Sequence, residues 1–254
     1  MRHQTIVAHA ADGTLARVRV AALADVHGNA PALEAVLAEV RRAGVDLVVF
    51  CGDLTWGPLP VETLALVRAL ELPARFVRGN ADRSVGVVLD ERGTWMASRH
   101  DAEATAFVNG FDEHVVVDVD GLGPARFVHG SPRSDEECVT PATPPERVRK
   151  FMVGVPERTV VTAHVHVSYD REVDGIRLVG PGSVGRPYEG EPGARWALLG
   201  PDVELRRTEY DLERTVELYR ASGIPDVAAD VQMLLQPPAR GEIVAHAERL
   251  VFAG

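Results

Sequence analysis

The stretch RVRVAALADVHGN, residues 17–29, decides the fold. Its first part, Arg17–Ala24, is rich in Val, Leu and Ala and reads as a strand. That strand runs straight into Asp25 and His27, two side chains able to ligate a cation. Pro31 then opens a helical pattern with Leu33, Val36, Leu37 and Val40 on one face, and Gly44 ends it. Val45–Cys51 (VDLVVFC) is almost continuously apolar, as expected for a strand covered on both faces. A helix over Pro60–Leu70 and a short strand over Arg75–Val77 follow. The pattern is β-α-β-α-β, and each strand is followed by a polar group: Asp25, then Asp53, then Asn80. In a parallel sheet the carboxyl ends of neighbouring strands lie side by side, so these groups converge on one crevice.

Further along, Ala102–Phe111 reads as a helix. Val115–Val119 and Arg126–His129 read as an antiparallel pair joined through DGLGP. A loop containing Pro141, Pro144 and Pro145 leads to a short helix near Glu146–Met152. Strands follow near Thr159–Thr162, Val167–Val173, Ile176–Val179, Ala194–Leu199 and Val203–Thr208. Asp174-Gly175 is a strong hairpin signal. From Asp211 the tail is helical, interrupted by Pro225 and by Pro237-Pro238. The simplest organisation is one domain over 1–254, with a core of about 17–210 and a helical C-terminal extension of about 211–254.

Composition narrows the partners. Among 254 residues, 27 Lys+Arg stand against 37 Asp+Glu, a formal net charge of −10. Proteins that grip phosphate backbones usually carry a basic excess, so nucleic acid is disfavoured. No apolar run approaches the ~18 residues that cross a bilayer. The start, MRHQTIVAHAADGTLARVRV, is broken by His9, Asp12, Arg17 and Arg19 and lacks the apolar core of a signal peptide. A soluble cytoplasmic protein with no membrane partner is expected. Cys51 and Cys138 lie too far apart to form a metal-type pair and are expected to be reduced. Cys51 reads as a buried strand residue.

Five segments carry chemistry: Asp25-Val-His27-Gly-Asn29, Gly52-Asp53, Gly79-Asn80-Ala-Asp82, His129-Gly130 and His164-Val-His166. Each alone has an ordinary explanation. The first suits a helix cap beside a surface histidine, the next two suit turns, and His-x-His suits one face of a strand. Their joint occurrence in this order is the informative observation. Asp25, His27, Asp53, Asn80, His129, His164 and His166 gathered at one edge would suit two divalent metals sharing a carboxylate.

The order D-x-H, G-D, G-N, H, H-x-H resembles that of the calcineurin-like metallophosphoesterases. ADVHGN, CGDLTWGPLP, VRGNAD, FVHGSPR, AHVHVSYD and GPGSVGRP are similar to the smaller bacterial phosphodiesterase branch. The resemblance covers about Val18 to Leu205, most of the chain. It implies an α/β fold, a four-layer αββα sandwich of two mixed β-sheets flanked by helices. It assigns Asp25, His27 and His166 to a first metal, Asn80, His129 and His164 to a second, and Asp53 to both. It implies a binuclear-metal phosphoesterase in which a metal-bridging hydroxide attacks a small phosphodiester or nucleotide-like phosphoester. Imidazole with carboxylate suits two transition-metal ions, Mn, Fe, Zn, Ni or Co, better than Ca or Mg. Asp53 and Asn80 are the central catalytic candidates. Arg133, in HGSPR, joins them as a donor to phosphate, although a solvated loop arginine fits its position nearly as well.

Two departures stand out. Relatives commonly read G-N-H-D or G-N-H-E where this chain has Gly79-Asn80-Ala81-Asp82, so the histidine credited with helping the leaving oxygen is absent. Ala163 stands where relatives commonly have Gly, with no ligand lost. Some relatives keep the fold as interaction scaffolds with weak or no catalysis, and Ala81 fits that alternative. The seven retained ligand candidates argue against it. Asn29 is a candidate helix cap or ligand orienter, Ser183 and Arg186 are candidate site-lining residues, and Tyr188 is a candidate stacking surface. His3, His9, His100, His114 and His246 read as structural or solvated. Tyr219, Met233, Leu234 and Leu235 give the tail an apolar stripe that suits intrachain core or a homo-oligomer contact.

Overall fold

The computed structural model describes residues 18–250; the proposed strand start at Arg17, and His3 and His9, lie outside the described residues. The chain forms β1 (Val20–Leu23), α1 (Ala30–Ala43), β2 (Leu47–Cys51), α2 (Pro60–Arg68) and β3 (Ala74–Val77). It continues through α3 (Glu91–Arg99), α4 (Ala102–Asn109), β4 (Val115–Val119), β5 (Gly123–Val128), α5 (Pro145–Phe151), β6 (Thr159–Thr162), β7 (Ser168–Val173) and β8 (Ile176–Pro181). It ends with β9 (Ala194–Leu199), β10 (Val203–Thr208), α6 (Leu212–Ala221), α7 (Val227–Leu235) and α8 (Arg240–Ala247).

Two five-stranded mixed sheets result, ordered β10-β9-β1-β2-β3 and β4-β5-β6-β8-β7. In the first, β1, β2 and β3 are parallel, and β9 and β10 run antiparallel at one side. In the second, β5, β6 and β8 are parallel, with β4 and β7 antiparallel at the edges. The strand period of two explains the layering. Leu47, Val49 and Cys51 of β2 face Phe127, Val161 and Val179 in the core between the sheets. Val48 and Phe50 point the other way, beneath Leu33, Val36 and Leu37 of α1. The outer face of the second sheet is covered by Phe151 of α5 and Ala247 of α8. This is the four-layer αββα sandwich expected, with Cys51 in the inter-sheet core.

Local chemistry sets the boundaries. The Asn29 side chain accepts the Ala32 N–H at 3.1 Å and caps α1. Gly44, at φ 63°, ends it in the left-handed region. Asp174 and Gly175 both take positive φ in the tight β7–β8 turn, where Val173 pairs with Ile176. β5 closes at Val128, which puts His129 just past the strand instead of inside it. The Ala102 helix stops at Asn109 before Gly110. The extension is three helices, broken near Pro225 and Pro237-Pro238. Helix α3, which the sequence reading did not anticipate, is mostly polar; Met96 is its one buried large side chain. Long-range contacts hold it instead: Arg92 to Asp230 at 2.9 Å and Arg99 to the Ser222 carbonyl at 3.2 Å.

Candidate metal centre

Five of the six parallel strands deliver candidate ligands to one rim. Asp25 follows β1, Asp53 follows β2, Asn80 follows β3, His129 follows β5, and His164 and His166 follow β6. The loops are stitched together by backbone bonds from Asp25 N–H to the Gly52 carbonyl (3.0 Å) and from His27 N–H to the Asp53 carbonyl (2.9 Å). Asp25, His27, Asp53, His164 and His166 all take left-handed backbone conformations, with φ between 46° and 67°. Such geometry costs a non-glycine residue roughly 1–2 kcal/mol, and strain of this kind gathers where function fixes a side chain's direction. Space is equally constrained. A Cβ on Gly79 would run into the Asp53 carboxylate, and one on Gly52 into the His129 ring.

Each core histidine is oriented from behind. Nδ1 of His27 donates to the Trp56 carbonyl (3.1 Å), Nδ1 of His129 to the Cys51 carbonyl (2.9 Å), and Nδ1 of His166 to the Arg186 carbonyl (2.6 Å). A carbonyl only accepts, so Nδ1 carries a proton and Nε2 is the nitrogen each ring turns inward, the one free to ligate when the ring is neutral. These nitrogens meet the carboxylates. His166 Nε2 lies 3.3 Å from Asp25 Oδ1, and His27 Nε2 lies 3.6 Å from Asp53 Oδ2. His129 Nε2 lies 3.6 Å from Asp53 Oδ1 and 3.0 Å from Asn80 Oδ1. Asp25, His27 and His166 form one group whose ligand atoms lie within 4.8 Å, and Asp25, Asp53 and His129 form another. His164 stands beside the second group, its ring centroid 5.1 Å from that of His129.

Electrostatics divide the histidines: burial opposes the charge on His129, but Asp53 and then Asp25 overcome it and raise that ring, whereas His27 and His164 are lowered. Burial, then repulsion from His166 and Arg186, hold His27 well below its ordinary pKa. Burial and then His129 take His164 down to about 3. Burial, with the added repulsion of Asp25, pushes Asp53 up against the pull of His129. Burial opposes the charge on Asp25 as well, but the nearby histidines, His166 foremost, overcome it and hold the carboxyl low. Asp25 Oδ1 is buried and makes no hydrogen bond among the described residues. Buried carboxylates beside inward-facing lone pairs suit a cation, and the donor set of carboxylate and imidazole has the chemistry of a divalent transition-metal site.

Asp82 has a role that the sequence reading missed. Fully buried, it accepts the N–H groups of Asp53 (2.8 Å), Gly79 (2.9 Å) and Leu54 (3.0 Å), and so fixes the β2 and β3 loops together. Burial and then Asp53 raise its carboxyl to about 7. An acid two residues past Asn80 was the available signal. Ser183 donates to the Asp25 carbonyl (2.7 Å), and Asn29 to the Gly185 carbonyl (3.0 Å), so both brace the rim. Arg133 lies in the β5 loop near His129, but its Nε and Nη2 both engage Glu137. Tyr188 stacks on the His166 ring at 4.4 Å. His100 is buried and structural, bonded to Met96 and Thr55.

The sequence profile of the calcineurin-like phosphoesterase superfamily domain matches residues 18–200, and the chain belongs to that superfamily. It is similar to the crystal structure of a metallophosphoesterase from Sphaerobacter thermophilus, 28% identical with a TM-score of 0.68, covering 86% of this chain and 98% of that one. It shares its fold with a hypothetical protein from Pyrococcus horikoshii OT3, 20% identical with a TM-score of 0.73, over 87% of this chain and 99% of that one. An uncharacterized protein of Methanocaldococcus jannaschii is 24% identical over 238 residues, 82% of this chain and 94% of the relative. Among the described residues no helix is long and apolar enough to cross a membrane.

Proposed function

We propose that the protein is a binuclear-metal phosphoesterase acting on small phosphodiesters or nucleotide-like phosphoesters. The observation that carries the reading is Asp53. Its two oxygens face two different histidines, Oδ2 toward His27 and Oδ1 toward His129, each at 3.6 Å. A carboxylate divided in this way suits a bridge between two cations. Asp25, His27 and His166 would hold one, and Asn80, His129 and His164 the other. When bound, two such ions supply Lewis acidity and a strongly acidified water near neutral pH. Mn, Fe, Zn, Ni or Co all match the donors.

The chain's own residues supply position. His27, His129 and His166 turn Nε2 inward because backbone carbonyls accept from their Nδ1 atoms. Asp82 fixes the backbone around Asp53 by accepting the N–H groups of Asp53, Leu54 and Gly79. Ala81 N–H donates to Asp53 Oδ1 at 2.9 Å, and the Ala81 side chain offers no proton to a departing oxygen. General acid help is worth typically ~10²–10⁴-fold, so aryl esters, whose leaving groups need little help, should be favoured over alkyl esters.

The test is turnover of an aryl phosphodiester and an alkyl phosphodiester by protein of measured Mn²⁺ content. Hydrolysis of the aryl ester, abolished by chelator and restored by metal, is expected. Two bound metals without turnover on a broad phosphoester panel would favour a scaffold or ligand-binding role.

A further inference from the structure

Arg186 is fixed by the same groups that orient the candidate ligands. Its carbonyl accepts the His166 Nδ1 proton at 2.6 Å. Its N–H donates to Ser183 Oγ at 2.8 Å, and that hydroxyl donates to the Asp25 carbonyl at 2.7 Å. The side chain is held from the opposite side: Nη2 lies 3.1 Å from Oδ1 of Asp230, on α7 of the C-terminal extension. Asp230 is buried, 6% exposed, and also receives the fork of Arg92 from α3 at 2.9 and 3.1 Å. Two guanidinium groups therefore share one carboxylate, and the cluster keeps a net positive charge. It lies against the metal centre, because Arg186, Asp230 and Trp56 line one recess with His27. Arg133 differs: its guanidinium pairs one-to-one with Glu137 through two nitrogens. Asp230 engages only Nη2 of Arg186, and a guanidinium has five donors. Among the described residues no other side chain takes the rest.

We propose that Arg186 binds an oxygen of the substrate phosphoryl group at the Asp25–His27–His166 end of the site, and that Asp230 with Arg92 positions it. The C-terminal extension is then part of the active site. The inference rests on the phosphoesterase reading and deepens it. The ligand class is a tetrahedral phosphorus oxyanion, whose oxygens match the planar guanidinium fork.

Inorganic phosphate is the probe, titrated calorimetrically into Mn²⁺-loaded protein, with kcat and KM on an aryl phosphodiester measured in parallel. Hydrogen bonds to charged groups are worth roughly ten- to a hundredfold in affinity. Arg186→Gln should weaken phosphate binding by about that factor, with metal content unchanged. Arg186→Lys should lose less, because it keeps the charge and loses only the fork. Asp230→Asn, nearly isosteric, should weaken phosphate and raise KM by a few-fold while kcat moves less. A merely structural tether would lower Tm and leave phosphate affinity alone. Unchanged phosphate affinity in fully metallated Arg186→Gln overturns the proposal, and so does loss of metal in that variant. Phosphate binding is read without turnover. If Arg186→Gln weakens phosphate binding but the wild type hydrolyses nothing, the esterase reading falls and the Arg186 subsite stands.

Discussion

His27 and His166 face one another Nε2 to Nε2 at 3.2 Å, with both Nδ1 atoms turned outward onto backbone carbonyls. With neutral rings, two lone pairs point at one spot, and the orphaned Asp25 Oδ1 borders it. A cation there converts repulsion into coordination. Adding Mn²⁺ to metal-free protein should therefore raise Tm, by about 2.7 kcal/mol of stability at 100 times Kd. His27→Ala should shrink that rise. A Tm indifferent to Mn²⁺ and other transition metals would contradict a metal centre.

Asp53→Asn tests the shared carboxylate with little disturbance of the backbone. Asp53 sits at φ 55°, a conformation asparagine tolerates well, so the substitution isolates charge. Turnover should fall at least ~10²-fold, about 2.7 kcal/mol in barrier, with folding retained. Near-normal activity would remove the shared-metal mechanism.

The pH dependence of stability follows from His164. Its folded pKa, about 3, lies below the unfolded value of 6.5. Below 6.5 the unfolded chain takes up a proton that the folded, metal-free protein refuses. The stability associated with this residue is complete above that pH and declines as pH falls toward 3, by up to about 1.4 kcal/mol per pH unit. Asp53, His129 and Asp82 are all raised and add their own pH dependence, so the readout is a difference between wild type and variant. Urea unfolding of metal-free wild type and His164→Asn should show the wild type losing ground to the variant between pH 6.5 and 4.5. A constant difference across that window would be the contrary result.

Both cysteines should be inert in the folded protein. Cys51 is fully buried between the sheets, and burial, followed by the charge of Asp25, raises its thiol. Cys138 is buried too, and burial, with Glu248 next, pushes its thiol up to about 11. The thiolate is the reactive form. An aromatic disulfide reagent at pH 7.5 should find no thiol in the native chain and both in guanidinium; fast labelling of the native chain would count against this packing.

The residues past the strands were legible because each follows an apolar run that identifies itself. Val45–Cys51 announces Asp53, and Thr159–Thr162 announces His164 and His166. The two-sheet layering was expected from the family resemblance, with which the β-α-β run and the later hairpin at Asp174-Gly175 agreed. Helix α3 was not legible, because ERGTWMASR is short and mostly polar, with Trp95 and Met96 its only large apolar side chains, and is held by Asp230 and Ser222, more than 120 positions away. The arginines show the same limit. Arg133 follows a histidine motif and attracts notice, but Glu137, four residues later, takes its guanidinium. Arg186 is placed beside His27 by contacts from α7 that no local pattern encodes. Asp82 was visible as an acid, but its three backbone partners appear only once β2 and β3 lie side by side.

The most direct measurement is an anomalous-scattering map of crystals grown with Mn²⁺. Two peaks ~3.5–4 Å apart are expected, one against Asp25, His27 and His166, the other against Asn80, His129 and His164, with Asp53 touching both. A single peak at full occupancy, or two peaks with Asp53 turned away from either, would contradict the binuclear centre.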